Sequence, residues 1–215
     1  MRKNVMASAL AIGRISAEMR AYYASNPTDI RIYVDERNIF NVYGLLIGPA
    51  DTPFAGGTYV VHLDMPEDYP HSAPKVTLMT PNGRYNTGEE LCFSFTARFN
   101  RSVMHTKHVG EGSAWGPSWG IEAVLRALLM YVVEPPPASD GPVIALMNSS
   151  DKKIGEYAAE SIVYNQTNIP FYKEFFEIPA AYVKTQVAKT MTAMSKMELA
   201  TDADGDFIYS SEEET

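Results

Sequence analysis

At 215 residues, 46% hydrophobic and 11% aromatic, the chain has the length of one domain and enough apolar material for one sizeable core. Its single cysteine, Cys92, cannot close an internal disulfide, so nothing points to an oxidising compartment and a cytosolic protein is expected. The net charge of −8 is concentrated after Met197, where seven acids meet no lysine or arginine; the body is left near −1, and without clustered cations it is not expected to bind nucleic acid.

The opening Met1-Arg2-Lys3-Asn4 and the apolar run behind it do not read as a signal peptide, because helix-like spacing continues through Arg14, Glu18 and Arg20. Ile12, Ile15, Met19, Tyr22 and Tyr23 recur at three- and four-residue steps, which predicts an amphipathic helix ended by Asn26-Pro27. Four strand-like runs follow: Arg31 to Val34, Phe40 to Ile47, Thr58 to Met65 and Lys75 to Met79. Turn-rich connections separate them, and short sequential connections predict an antiparallel meander.

The segment from Thr80 to Ser94 is turn-rich and carries Cys92, the arrangement by which a chain displays one sulfur at the edge of a sheet. Ala97 to Ala114 is poorly patterned and is expected to be a loop. Trp115-Gly116-Pro117-Ser118-Trp119 opens a second helix, with Pro117 suited to its start and Ile121, Val124, Leu125, Leu128, Leu129 and Val132 on its apolar face. That run contains Glu122 and Arg126 and is too short to span a bilayer, so no membrane segment is expected. Glu134-Pro135-Pro136-Pro137 stops it. A third helix is predicted from Ser150-Asp151, capped by Ser149 or Ser150, to about residue 165, and a last one from Phe171 to about Met197 with a bend at Pro179. The expected architecture is α+β: an N-terminal helix, a four-stranded antiparallel sheet and C-terminal helices, with one domain over 1–196 and an acidic, flexible tail over 197–215.

Several of these stretches together resemble the ubiquitin-conjugating enzymes. Arg14-Ile15 through Asn26-Pro27-Thr28-Asp29 is similar to the family's first helix and its exit. Gly48 to Gly57 resembles its glycine-rich turn, and Tyr69-Pro70-His71-Ser72-Ala73-Pro74 its Tyr-Pro-x-x-Pro loop. Most members carry His-Pro-Asn upstream of the catalytic cysteine, whereas Thr80-Pro81-Asn82-Gly83-Arg84-Tyr85 has no histidine. That segment, with Trp115 to Trp119 and the helices around Ala159 to Asn165 and Phe171 to Glu177, resembles the divergent Ubc6-like, J-type branch associated with membrane quality control. The resemblance covers roughly Arg14 to Ile178, and the combination is more specific than any one motif.

The resemblance implies that Cys92 accepts ubiquitin from the activating enzyme as a thioester and passes it on with a ubiquitin ligase. An unperturbed thiol titrates near about 8.5, so no large activation is needed. Asn82 is the expected oxyanion donor, or the residue that holds the loop supplying it; Pro-Asn-Gly is also a turn signal in its own right. Pro70, His71, Pro117 and Ser118 match the two loops that dock ligases, although His71 stands where many relatives carry a large apolar side chain. Ser139 and its neighbour Asp140 are the nearest matches to the residue that helps the incoming amine, and Trp115 and Trp119 are expected in the core. No cofactor is implied, since ATP is consumed by the upstream activating enzyme.

Two departures stand out. The stretch 97–113 is longer than the branch leads one to expect and carries Arg98, Arg101, His105, Lys107 and His108, a basic insertion beside the thiol. Members of the branch tend to end in a membrane anchor, whereas this chain ends in acids. The expected location is therefore the cytosol, or the cytosolic face of the endoplasmic reticulum if an anchor is missing.

Other signals are weaker. His105 and His108 lack the further ligands zinc requires, so no metal is expected. In Asp202-Ala203-Asp204-Gly205-Asp206 the sixth position of a calcium loop is Phe207, which favours a solvated acidic tail. Ser210 and Ser211 precede Glu212-Glu213-Glu214 and are candidates for an acid-directed kinase. Two other functions compete with the enzyme reading: an inactive module of the same fold that presents ubiquitin or docks a ligase, and a cysteine hydrolase pairing Cys92 with His105 or His108, which would need a third orienting group.

Overall fold

The computed structural model describes residues 2–25, 27–104, 113–135 and 149–176. Helix α1 (Arg2–Ser25) buries Ile15, Met19 and Tyr22 of the predicted stripe, together with Ala11, while Ile12 and Tyr23 are partly buried against the same core. Strands β1 (Ile30–Val34), β2 (Asn41–Ile47), β3 (Thr58–Asp64) and β4 (Lys75–Leu78) form one antiparallel sheet in the order β1-β2-β3-β4. The meander follows from the short connections. At the first hairpin, the Asp35 and Asn38 side chains accept from the amides of Arg37 and Phe40 and turn the chain within six residues.

One sheet face carries Ile32, Val42, Leu46, Val61, Leu63 and Val76 into the main core, together with the buried face of helix α3 (Ile121–Val133). Close approach of α3 requires Gly44 in β2: a Cβ added there would lie 2.5 Å from Leu125 Cδ2. Trp115 and Trp119 are partly buried and pack against this core. On the opposite face Leu45 and Val60 meet Ile169, Tyr172 and Phe176, at the end of helix α4 (Asp151–Asn168) and in helix α5 (Tyr172–Phe175). Here Tyr43 lies against Phe171, with ring centroids 4.2 Å apart.

Two sequence expectations change. Ala97 to Ala114 is not all loop, because its first part is helix α2 (Ala97–Met104). Eight residues are too few to show a period, and this helix is fixed from outside: Phe99 is buried, and Arg98 and Arg101 both reach Glu90. The helix expected to open at Pro117 begins at Ile121, Pro117 and Ser118 being an exposed turn before it. Of the helix expected from Phe171 to about Met197, the described residues contain only its start, α5; residues 177–215, with the bend at Pro179 and the 196/197 boundary, lie outside the described residues. By contrast α4 begins where expected, with Ser150 capping the Lys153 amide.

Glu18 explains the late start of α3. The preceding residue, Gly120, has no side chain to cap the helix, and Glu18 Oε2 of α1 accepts the Ile121 amide instead, at 2.7 Å. A carboxylate at a helix N-terminus satisfies an orphan donor and opposes the positive end of the helix dipole. The same carboxylate pairs with Arg14 and accepts the Tyr69 hydroxyl at 2.8 and 2.9 Å, while Arg14 also donates to the Trp119 carbonyl. Burial, then the Glu18 charge, pushes the Tyr69 phenol up, so it stays protonated and remains a donor.

Glu18→Ala would leave the Tyr69 hydroxyl and the Ile121 amide without their acceptor. The expected loss is about 2–3 kcal/mol of stability, or roughly 4–12 °C in thermal midpoint for a chain of this size. Thermal unfolding followed by circular dichroism measures it, with the exposed Glu156→Ala as the comparison that should shift little.

Candidate active site

The segment Thr80–Ser94 leaves the sheet at the end of β4. Its first residues are organised by Asn82, which is 1% exposed. Asn82 Nδ2 donates to the carbonyls of Thr80 and Tyr85, both at 3.1 Å, and Oδ1 accepts the amides of Arg84 and Tyr85 at 2.9 and 2.8 Å. Both amide hydrogens and both carbonyl lone pairs are thereby engaged inside the loop. Gly83 follows with φ +74°, a left-handed conformation that glycine adopts without strain.

The turn then clamps onto the end of α3. Arg84 donates to the carbonyls of Val132 and Val133 at 3.2 and 3.4 Å, and the Tyr85 hydroxyl donates to that of Tyr131 at 2.9 Å. These are last-turn carbonyls that lack a partner within the helix, and a guanidinium suits the negative end of its dipole. Arg84 also lies over the Phe54 ring, 5.7 Å from its centroid.

Cys92 is anchored through its neighbours. Glu90 bridges to Thr77, and the Leu91 amide donates to the Val76 carbonyl at 2.7 Å. Thr96 closes the other side: its hydroxyl accepts the Phe93 amide at 3.1 Å and donates toward the carbonyls of Leu91 and Phe93. The thiol is free but only 4% exposed. The expectation of a sulfur displayed at a sheet edge is thus corrected: Cys92 lies buried in the turn that Thr96 closes. Burial is the largest influence on the thiol and pushes its pKa up. Arg98 opposes this, Glu90 adds to it, and Arg101 opposes it. Both arginines are themselves engaged with Glu90: Arg98 donates to its carbonyl, and Arg101 donates to its carboxylate oxygens at 2.8 and 2.6 Å.

The other predicted residues fall on a neighbouring surface. The Trp115 indole donates to the Pro70 carbonyl at 3.0 Å, and Glu18 ties Tyr69 to the start of α3, so the loop of Pro70 and His71 is joined to that of Pro117 and Ser118. Pro70, after a cis peptide bond, is buried, whereas His71, Pro117 and Ser118 are exposed. Beside them a groove of about 510 Å³ runs from His71 and Ala73 to Asn100 and Arg101 of α2. His105, Lys107, His108, Ser139, Asp140, the Asp202–Asp206 stretch, Ser210 and Ser211 lie outside the described residues.

Sequence reasoning missed the groups that set the thiol's environment. Glu90 and Thr96 sit two and four residues from Cys92 and look like ordinary turn residues. Arg98 and Arg101 were read only as basic insertion, and their convergence on Glu90 needs a helix that periodicity over so few residues does not reveal.

The raised thiol has a pH signature. Iodoacetamide alkylation of the folded protein should have a midpoint above that of a free cysteine, about 8.5, so the rate keeps rising where an ordinary thiol levels off. Glu90→Gln removes a negative charge facing the thiolate and should move the midpoint down. Alkylation rates across pH, read by intact mass, measure both; a profile matching free cysteine would contradict the buried-thiol geometry.

A family model described as ubiquitin-conjugating enzyme matches residues 14–161, from within α1 through most of α4. Ubiquitin-conjugating enzyme E2 6 of Eremothecium gossypii is 32% identical over 171 residues, which are 80% of this chain and 64% of that protein. Ubiquitin-conjugating enzyme E2 J2 of Bos taurus is 30% identical over 152 residues, 71% of this chain and 52% of that protein. Ubiquitin-conjugating enzyme E2 32 of Arabidopsis thaliana is 34% identical over 133 residues, 62% of this chain and 39% of that protein. The chain thus spans between about two fifths and two thirds of the length of these relatives. With the sheet and helices arranged as the resemblance implied, the chain belongs to the ubiquitin-conjugating enzyme family, among relatives of the Ubc6-like, J-type branch.

Proposed function

We propose that the chain is an active ubiquitin-conjugating enzyme whose Cys92 carries ubiquitin between the activating enzyme and an acceptor, working with a ubiquitin ligase. The observation that carries this reading is the placement of the only cysteine: it lies within the matched region, between two backbone anchors, in the segment that the Asn82 turn opens. In the first step the Cys92 thiolate attacks the thioester carbonyl on the activating enzyme. A new C–S bond forms, the old one breaks, and the departing sulfur leaves as thiolate. In the second step an acceptor nucleophile attacks the Cys92 thioester, its bond to carbon forms, and Cys92 leaves as thiolate while the acceptor's proton passes to solvent or a base. ATP is spent by the activating enzyme, and the transfer itself uses no cofactor.

Asn82 acts in this scheme by fixing the loop that faces the tetrahedral intermediate, since its own amide is fully engaged within that loop. Exposed His71, Pro117 and Ser118 form the ligase-docking surface and buried Pro70 shapes it from beneath, a role supported by the bonds that join their two loops. The site of action is the cytosol or the cytosolic face of the endoplasmic reticulum; among the described residues no helix is long and apolar enough to cross a membrane. One observation favours the alternative, an inactive module that presents ubiquitin or docks a ligase: the thiol is nearly covered.

Incubation with activating enzyme, ATP and ubiquitin decides between them. The active enzyme forms an adduct that reducing agent removes, Cys92→Ala forms none, and Cys92→Ser forms an oxyester that resists reducing agent. Wild-type protein that takes no ubiquitin would overturn the conjugating-enzyme reading.

A further inference from the structure

The polar groups buried between α4 and the sheet converge on the residue from which the Asn82 turn departs. Thr80 and Asn165 are both fully buried. The Thr80 hydroxyl accepts the Val60 amide at 2.9 Å and donates to Asn165 Oδ1 at 2.6 Å. The β3–β4 ladder makes its last backbone bond from the Met79 amide to the Val60 carbonyl. The next rung, to the Val60 amide, is made by the Thr80 side chain, which frees the Thr80 backbone to leave the sheet. Its carbonyl then accepts Asn82 Nδ2.

On the other side, Asn165 Nδ2 donates to the Thr58 carbonyl at 2.9 Å and to the Thr58 hydroxyl at 3.2 Å. That hydroxyl meets the Tyr172 hydroxyl of α5, and the Thr58 amide donates to Ser161 of α4. The side-chain polar atoms of Thr80 and Asn165 are all engaged, so a shift at one end must be passed on or cost an unpaired buried group. The route from α4 to the Asn82 turn runs through two side chains.

We propose that Thr80 and Asn165 are positioning residues for transfer from Cys92: through this network α4 sets where the Asn82 turn sits. The inference rests on the reading of Cys92 and Asn82 given above. Neither residue touches the reacting atoms. Thr80→Val keeps the shape of the side chain but leaves the Val60 amide and Asn165 Oδ1 unpaired, so the root of the turn is released. Thr80→Ser keeps the hydroxyl.

The test is single-turnover discharge of the full chain, charged with ubiquitin in advance, to free lysine. Only folded, charged molecules are counted, so a variant that is merely less stable discharges at the wild-type rate. Thr80→Val is expected to discharge roughly tenfold to a hundredfold more slowly, the size of a small misplacement, and Thr80→Ser close to wild type. The double variant Thr80→Val/Asn82→Ala is expected to be no slower than Asn82→Ala alone, because the first change acts through the second residue. If Thr80→Val does not charge, Asn165→Ala, which leaves Thr80 its bond with the Val60 amide, is held to the same criteria. Discharge of the single variant at the wild-type rate, or losses that multiply in the double variant, would overturn the inference while leaving the proposed function intact. Wild-type protein that cannot be charged overturns both.

Discussion

Three segments far apart in sequence meet at one carboxylate. Glu18, with its side chain 17% exposed, pairs with Arg14 on its own helix, accepts the Tyr69 hydroxyl from the loop after β3, and stands in for the missing cap at Ile121. A largely desolvated charge is costly unless its lone pairs are filled, and these donors fill them. The positions of α1, the Tyr69-Pro70 loop and the start of α3 therefore depend on one another. The exposed residues His71, Pro117 and Ser118 ride on this joint, and the Trp115 indole on the Pro70 carbonyl is its second fastening.

The thiol segment is built on a different principle, with neutral polar side chains replacing backbone partners. Asn82 bonds four backbone groups of its own turn, Thr96 closes the turn after Cys92, and Thr80 completes the sheet ladder as the chain leaves it. Each supplies hydrogen bonds that irregular backbone otherwise lacks when buried. This bears on Asn82 directly. Donating to a developing oxyanion would require its amide to release the Thr80 or the Tyr85 carbonyl, at a cost of about 1–3 kcal/mol for the group left unpaired. Organising the loop carries no such cost.

The environment of Cys92 sets opposing influences together. Burial disfavours the thiolate, and Arg98 and Arg101 favour it; Arg101 is paired with the Glu90 carboxylate, while Arg98 donates to the Glu90 backbone carbonyl. Helix α2 thus contributes to the thiol's electrostatics as well as to one wall of the groove beside His71.

Much of this was legible in the chain. The period of Ile15, Met19 and Tyr22, the four strand-like runs and the turn residues between them dictated an α+β meander, because burying an apolar stripe or face is a local demand that each segment states for itself. The lone Cys92 after Pro81-Asn82-Gly83 likewise marked the candidate site, and Ser150 marked the start of α4. What tertiary structure alone decided is how groups distant in sequence pair. Glu18 caps a helix that begins about a hundred residues later in the chain, Asn165 grips Thr80, Arg98 and Arg101 converge on Glu90, and the sulfur ends up covered instead of displayed. A carboxylate or an amide has no period and no preferred sequence distance, so its partner is chosen by which buried donor the packed helices and sheet bring within about 3 Å.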